Sequence, residues 1–188
     1  MERGPERILD EYLVLVIQAG SRDAFDSLVR RWTPRLLRYA SRVLGDNLAD
    51  AARDVVQETW VGAVRGIQRL REPAQFRVWI YAIAERKCAD ELRSRLRRRR
   101  LEADACSWSG AAIDHGTGAI EALAVARGIA HLPPEQRSVV HLYYAEDLSV
   151  EEIAAVVDVP AGTVKSRLHH AREKLRHYMS GETKGERK

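Results

Sequence analysis

Leu148-Ser149-Val150-Glu151-Glu152-Ile153-Ala154-Ala155-Val156-Val157-Asp158-Val159-Pro160-Ala161-Gly162-Thr163-Val164-Lys165-Ser166-Arg167-Leu168 carries the signature of two helices joined by a tight turn. Ser149 followed three positions on by Glu152 predicts a capping box, in which each side chain satisfies a free backbone N–H at the helix start. Val150, Ile153, Ala154 and Val157 then fall on one face at i, i+3, i+4 and i+7. Asp158-Val159-Pro160 stops this helix, because the residue before a proline avoids helical geometry. The second helix has an apolar stripe of Val164, Leu168, Ala171 and Leu175. Its other faces carry Thr163, Lys165, Ser166, Arg167, His169, His170 and Arg172, side chains suited to base edges and phosphates. The spacing also fits a plain helical hairpin with a solvated face, so the rest of the chain has to decide.

The charge distribution favours the DNA-reading alternative. Net charge is only +4 over 188 residues, yet Arg93 to Arg100 reads Arg-Ser-Arg-Leu-Arg-Arg-Arg-Arg behind Arg86 and Lys87, with only Asp90 and Glu91 in opposition. A clustered run of this kind beside a reader helix predicts phosphate contact. Two cysteines, Cys88 and Cys106, are too few and too distant for a disulfide framework or a Cys-x-x-Cys site. The six histidines show no zinc-ligand spacing. No metal or other cofactor is therefore expected, and Cys88 reads as a small packing residue. The first residues, Met-Glu-Arg-Gly-Pro-Glu-Arg, lack a signal-peptide pattern, and the longest apolar cluster, Leu13 to Ile17, is far too short to span a bilayer. A cytoplasmic chain without direct membrane insertion is the expectation.

Upstream, residues 8 to about 100 lack the alternation of strands and read as successive helices. The first is expected from about Ile8 to Ala19 with Gly20 ending it. Ser21 can cap a second, which buries Phe25, Leu28, Val29, Trp32, Leu36, Leu37, Ala40, Val43 and Leu44; Pro34 should bend or break it. A third runs from about Ala49 to Ile67 with Val55, Val56, Thr59, Trp60, Ala63 and Val64 inward to varying degree. A fourth runs from about Gln75 to Arg97 with Phe76, Trp79, Ile80, Ile83, Ala84 and Leu92 at helical intervals. Glu102 to Ala126 is poor in charge and rich in Ser and Gly, which predicts a linker. Helical pattern resumes at Arg127, and Pro134 opens the helix that leads into the reader pair. The expected class is all-α: two small helical domains, 1–101 and 127–179, a flexible linker over 102–126 that leaves their relative placement open, and a tail over 180–188.

With both blocks in view, the chain resembles the extracytoplasmic-function (ECF) group of bacterial RNA polymerase sigma factors. The resemblance rests on Asp54-Val55-Val56-Gln57-Glu58-Thr59-Trp60, Phe76-Arg77-Val78-Trp79-Ile80-Tyr81-Ala82-Ile83-Ala84, Leu132-Pro133-Pro134-Glu135-Gln136-Arg137 and Gly162-Thr163-Val164-Lys165-Ser166-Arg167-Leu168, in that order. It implies that Asp54, Gln57 and Glu58, which share one helix face, dock on the β′ clamp coiled coil of core RNA polymerase, with the β subunit as a further partner. It implies that the segment from Gly66 to Gln75 and the exposed side of the next helix capture the minus-ten element as single-stranded DNA, with Arg69, Gln75, Arg77, Arg86, Lys87 and Arg93 as contributors. The C-terminal block would read the duplex minus-thirty-five element through Thr163, Lys165, Ser166, Arg167, His170 and Arg172. An anti-sigma protein is a further implied partner. The chain departs from the family at Ile83-Ala84-Glu85-Arg86, where Ile-Ala-Arg-Asn is common.

A stand-alone helix-turn-helix regulator is the alternative, but it leaves the Asp54 to Trp60 face and the long tether without a purpose. A nuclease with a helical DNA-binding tail would need an acidic metal cluster or a nucleophile–base pair, and the sequence offers neither.

Overall fold

The computed structural model describes residues 5–45, 48–103 and 120–180, and every regular element among them is helical. In chain order these are α1 (Pro5–Gln18), α2 (Arg22–Leu44), α3 (Ala49–Gly66), α4 (Phe76–Ala103), α5 (Ile120–Ala130), α6 (Pro134–Tyr144), α7 (Val150–Val157) and α8 (Ala161–Met179), with short 3-10 turns at Ile67–Arg69 and Pro73–Gln75 between α3 and α4. α1 begins at Pro5, where the missing N–H costs nothing at a helix start. Gly20 takes φ +101 after it, and the Ser21 hydroxyl accepts from the Ala24 N–H at 3.3 Å to start α2.

Pro34 does not break α2, which runs through it as one helix of 23 residues. The proline lies on the exposed side, where the carbonyl it deprives of a partner can turn to water. Its neighbours Trp32 and Leu36 are fully buried, so packing holds the helix on both sides of the imperfection. Val64, expected to be partly inward, is 57% exposed. α4 extends six residues beyond the expected Arg97. The expected linker is helical at both ends, since α4 reaches Ala103 and α5 starts at Ile120; residues 104–119 of that stretch lie outside the described residues, as do Cys106 and 181–188 of the expected tail.

Helices α1 to α4 enclose an aromatic centre. Trp32 meets Phe76 and Tyr81 edge-on at 5.2 and 5.6 Å between ring centroids, and Tyr39 meets Tyr81 at 5.1 Å, separations in the favourable range for such pairs. Asp10, 2% exposed, ties α1 to α2 by accepting from Trp32 Nε1 at 3.0 Å and Arg31 Nε at 2.8 Å. Cys88 is buried in the same body, in keeping with a packing role; burial, then the Glu85 carboxylate, push its thiol far above the usual range.

Helices α6 to α8 form the second block around Val139, Leu142, Ile153, Val164, Leu168 and Ala171. The two blocks do not stand apart. α6 packs on α2 and α7 packs on α4, so the apolar interior is continuous between them. This docking explains burial that single-helix periodicity misses. Tyr39, Tyr81 and Val156 lie outside the expected inner faces and are buried, because α2, α4 and α7 each have partners on two sides.

Candidate nucleic-acid interface

The turn between α7 and α8 is built as its residues dictate. The Glu152 N–H donates to Ser149 Oγ at 3.2 Å, and the Ser149 N–H donates to Glu152 Oε2 at 2.8 Å. Asp158 closes α7 in the left-handed region at φ 51, a conformation that Asp tolerates better than most residues. Pro160 then starts α8, its carbonyl accepting from the Thr163 N–H at 2.8 Å. Val164, Leu168 and Ala171 turn inward.

The opposite side of α8 is open. Lys165, Ser166 and His170 are exposed, and Thr163 and Arg167 are half-buried at the edge of the same face. Ser166 donates to the Gly162 carbonyl at 3.1 Å, which leaves its oxygen lone pairs outward. Arg172 is exposed but held: its Nε donates to the Tyr144 hydroxyl at 2.7 Å, and its guanidinium lies 5.8 and 5.7 Å from the Tyr143 and Tyr144 rings. A cation fixed by two aromatic rings has less freedom to lose on meeting a phosphate.

On the first block, Asp54, Gln57 and Glu58 share the exposed side of α3. Asp54 and Glu58 border a cleft of about 530 Å³ whose far wall is α4, with Lys87, Asp90, Glu91, Arg93, Ser94 and Arg97. Lys87 donates to Glu58 at 3.1 Å and Arg93 to Asp90 at 2.6 Å. Glu91 receives Arg95 at 2.5 Å and lies 3.7 Å from Arg98. The basic run is therefore part-neutralised by its two acidic neighbours, but such exposed pairs are weak and exchange readily for a stronger partner. Arg86 is exposed on α4, as are Arg69 and Gln75 on the segment before it.

That segment is pinned from behind. Gln18 on α1 donates through Nε2 to the carbonyls of Ile67 and Leu70 at 2.9 and 2.8 Å, while Gln68 donates to the Ile17 carbonyl at 3.0 Å. Gly66 lies against Trp79, where a Cβ would come within 2.8 Å of the indole. Gln18 and Gln68 escaped the sequence reading because no local spacing announces a side chain that reaches a carbonyl fifty residues away.

Arg77 stands apart from the other expected DNA contacts. Its side chain is 15% exposed, lies 3.6 Å from the Glu146 carboxylate and donates to the Glu146 carbonyl. In the docked arrangement it serves the C-terminal block. Burial alone would raise the Glu146 carboxyl, but the His141 ring, the Tyr81 hydroxyl and the Arg35 guanidinium together hold it below the usual range. Among the described residues there is no cluster of His, Cys, Asp or Glu that could hold a metal, and no helix long and apolar enough to cross a membrane.

Residues 28–99 match the family described as Sigma-70 region 2, and residues 122–175 match Sigma-70, region 4. The chain is 33% identical over 181 residues to the RNA polymerase sigma-H factor of Pseudomonas aeruginosa, covering 88% of this chain and 91% of that one. It is 33% identical over 184 residues to the ECF RNA polymerase sigma-E factor of Escherichia coli strain K12, covering 90% and 94%. In fold it is similar to the sigma factor RpoE from Bartonella quintana, solved with the anti-sigma factor NepR (TM-score 0.68, 23% identity, 83% of this chain and 96% of that one). It is also similar to CnrH, solved with the cytosolic domain of CnrY (TM-score 0.65, 24% identity, 93% and 99%).

Proposed function

Because this chain belongs to the ECF group of the sigma-70 family, we propose that it binds core RNA polymerase and directs initiation at promoters carrying two elements. The observation that carries this reading is the pairing of an exposed Asp54–Gln57–Glu58 face on one block with an open reader helix on the other. α8 reads the minus-thirty-five element as duplex: Lys165 and Arg167 reach guanine or phosphate, Thr163 and Ser166 approach near the helix start, and His170 and Arg172 contact the flanking backbone. The pinned segment from Gly66 to Gln75 and the exposed side of α4 hold the melted minus-ten strand, with Arg69, Gln75, Arg86, Lys87 and Arg93 supplying donors and charge. Unstacked bases must regain lost energy from such contacts. Arg77 joins them only when the C-terminal block leaves it. Bond-making belongs to the polymerase.

Asp54 and Glu58 supply the carboxylates for a basic partner surface, the β′ clamp coiled coil, with the β subunit of the same enzyme as a further partner. A protein inhibitor belongs to the same reading, since NepR is an anti-sigma factor bound to one of the similar structures. The test is co-purification with core polymerase. The wild-type chain should bind stably, and Asp54→Lys with Glu58→Lys should weaken binding by roughly tenfold or more while leaving the helical content intact. Equal binding by the charge-reversed chain would place the polymerase contact elsewhere.

A further inference from the structure

Resting on the reading in which the segment from Gly66 to Gln75 holds the melted strand, we infer that Gln18 on α1 is the positioning residue of that site: its side-chain amide sets the backbone that carries Arg69. A primary amide has two N–H groups on one nitrogen. In Gln18 these serve two carbonyls, Ile67 at 2.9 Å and Leu70 at 2.8 Å. The two carbonyls bracket the 3-10 turn Ile67–Arg69, which the Leu70 N–H closes on the Ile67 carbonyl at 3.2 Å. The clip is returned from the other side, where Gln68 Nε2 donates to the Ile17 carbonyl at 3.0 Å. Ile17 and Ile67, the sequence neighbours of the two glutamines, are both buried, so each glutamine is anchored at its root.

The turn needs that support from outside. Gln68, Arg69, Arg71 and Glu72 are all exposed, so little burial fixes the chain there, and a short 3-10 turn is a poor holder of its own shape. Arg69 lies between the two anchored carbonyls and faces solvent. α1 also packs against the second turn, Pro73–Gln75, so both turns of the segment take their place from the same helix. A strand that meets a segment already in shape does not have to order it, and affinity is gained by that saving. Gln18 acts through Arg69 and the turn, not on a base. What the position requires is donors and not bulk. Methionine fills similar space with no N–H, an ionised glutamate only accepts, and a lysine ammonium can donate to both carbonyls.

The test compares wild type with Gln18→Met, Gln18→Glu and Gln18→Lys, each assembled with core polymerase. The probes are the non-template minus-ten strand and the minus-thirty-five duplex of one promoter mapped by RNA 5′ ends. Gln18→Met and Gln18→Glu should weaken capture of the strand by about tenfold, in line with the loss of two hydrogen bonds, and leave duplex and core binding unchanged; Gln18→Lys should stay near wild type. Hydrogen exchange on the free full chain gives a readout without DNA: the amides of residues 68–70 should exchange faster in Gln18→Met and Gln18→Glu and not in Gln18→Lys. Strand capture by Gln18→Met equal to wild type, failure of Gln18→Lys alongside the other two, or equal losses on strand and duplex would each overturn the positioning role. If circular dichroism shows that the Gln18 variants do not fold, Gln68→Met removes the returning bond from an exposed position and should give the same strand-selective loss in smaller measure; no loss would overturn the role. Wild-type holoenzyme that retains the strand of no mapped promoter would overturn the functional reading instead.

Discussion

Ser138 on α6 donates to the carboxylate of Glu85 on α4 at 3.0 Å, across 53 positions of sequence. A hydroxyl at the buried face of one block and an acid on the long helix of the other meet only because the blocks are docked. The Tyr39 phenol completes the contact and is pushed well above its ordinary range, by burial first and then by Glu85, so it stays a donor at any physiological pH.

The reader helix gives the most direct mutational prediction. Arg167→Ala should cost about 1–3 kcal/mol of promoter binding and relax selectivity if the guanidinium grips a base edge in two places. Lys165→Ala, removing a point charge, should weaken matched and scrambled duplexes alike and flatten the salt dependence. Titrations of both duplexes at several salt concentrations separate the two; equal loss on both duplexes for Arg167→Ala would reduce it to a backbone contact.

Gly66→Ala should destabilise the first block by about 1–3 kcal/mol, the usual range for overpacking. The added methyl would meet the Trp79 ring at 2.8 Å, and the displaced indole lies beside the segment held by Gln18. Thermal unfolding should show the loss, and single-stranded minus-ten DNA should bind more weakly. An unchanged melting temperature would mean that the ring gives way freely.

Ser149→Ala should cost about 0.5–2 kcal/mol, since it removes one half of the reciprocal cap on α7. Chemical denaturation of the full chain is the measurement, and no change in the midpoint would contradict the structural weight given to the box.

Acid should loosen the junction through Glu146. Its folded-state pKa is lowered below the ordinary carboxylate value, so the stabilisation it gives is present above that ordinary value and is lost as pH falls through the folded one. Wild type should lose more stability than Glu146→Gln between neutral pH and pH values below the usual carboxylate range. Parallel pH profiles of the two proteins would remove Glu146 from the balance.

The features readable in sequence are those decided within a few residues. Ser149 and Glu152 are three apart, and Val164, Leu168 and Ala171 follow one helical face, so the cap and reader stripe could be placed without a fold. The side-sharing of Asp54, Gln57 and Glu58 was legible for the same reason. Arg77 was not: its charge and position suit a DNA contact, and only the docked C-terminal block reveals Glu146 as its partner. Tyr39 and Val156 defeat periodicity because each faces a second neighbour, and periodicity assumes one. Pro34 misleads in the opposite sense, since local backbone chemistry forecasts a break that buried Trp32 and Leu36 override. Ile120 begins α5 directly after Gly116, Thr117, Gly118 and Ala119, and composition averaged over that stretch obscures the change.

Reconstituted transcription with core polymerase on a genomic DNA library, followed by mapping of RNA 5′ ends, tests the central claim most directly. Adding the protein should produce new starts, each preceded by a shared pair of sequence elements near −35 and −10, and those starts should disappear with Asp54→Lys and Glu58→Lys. Core polymerase that initiates at the same sites with and without the protein would contradict it.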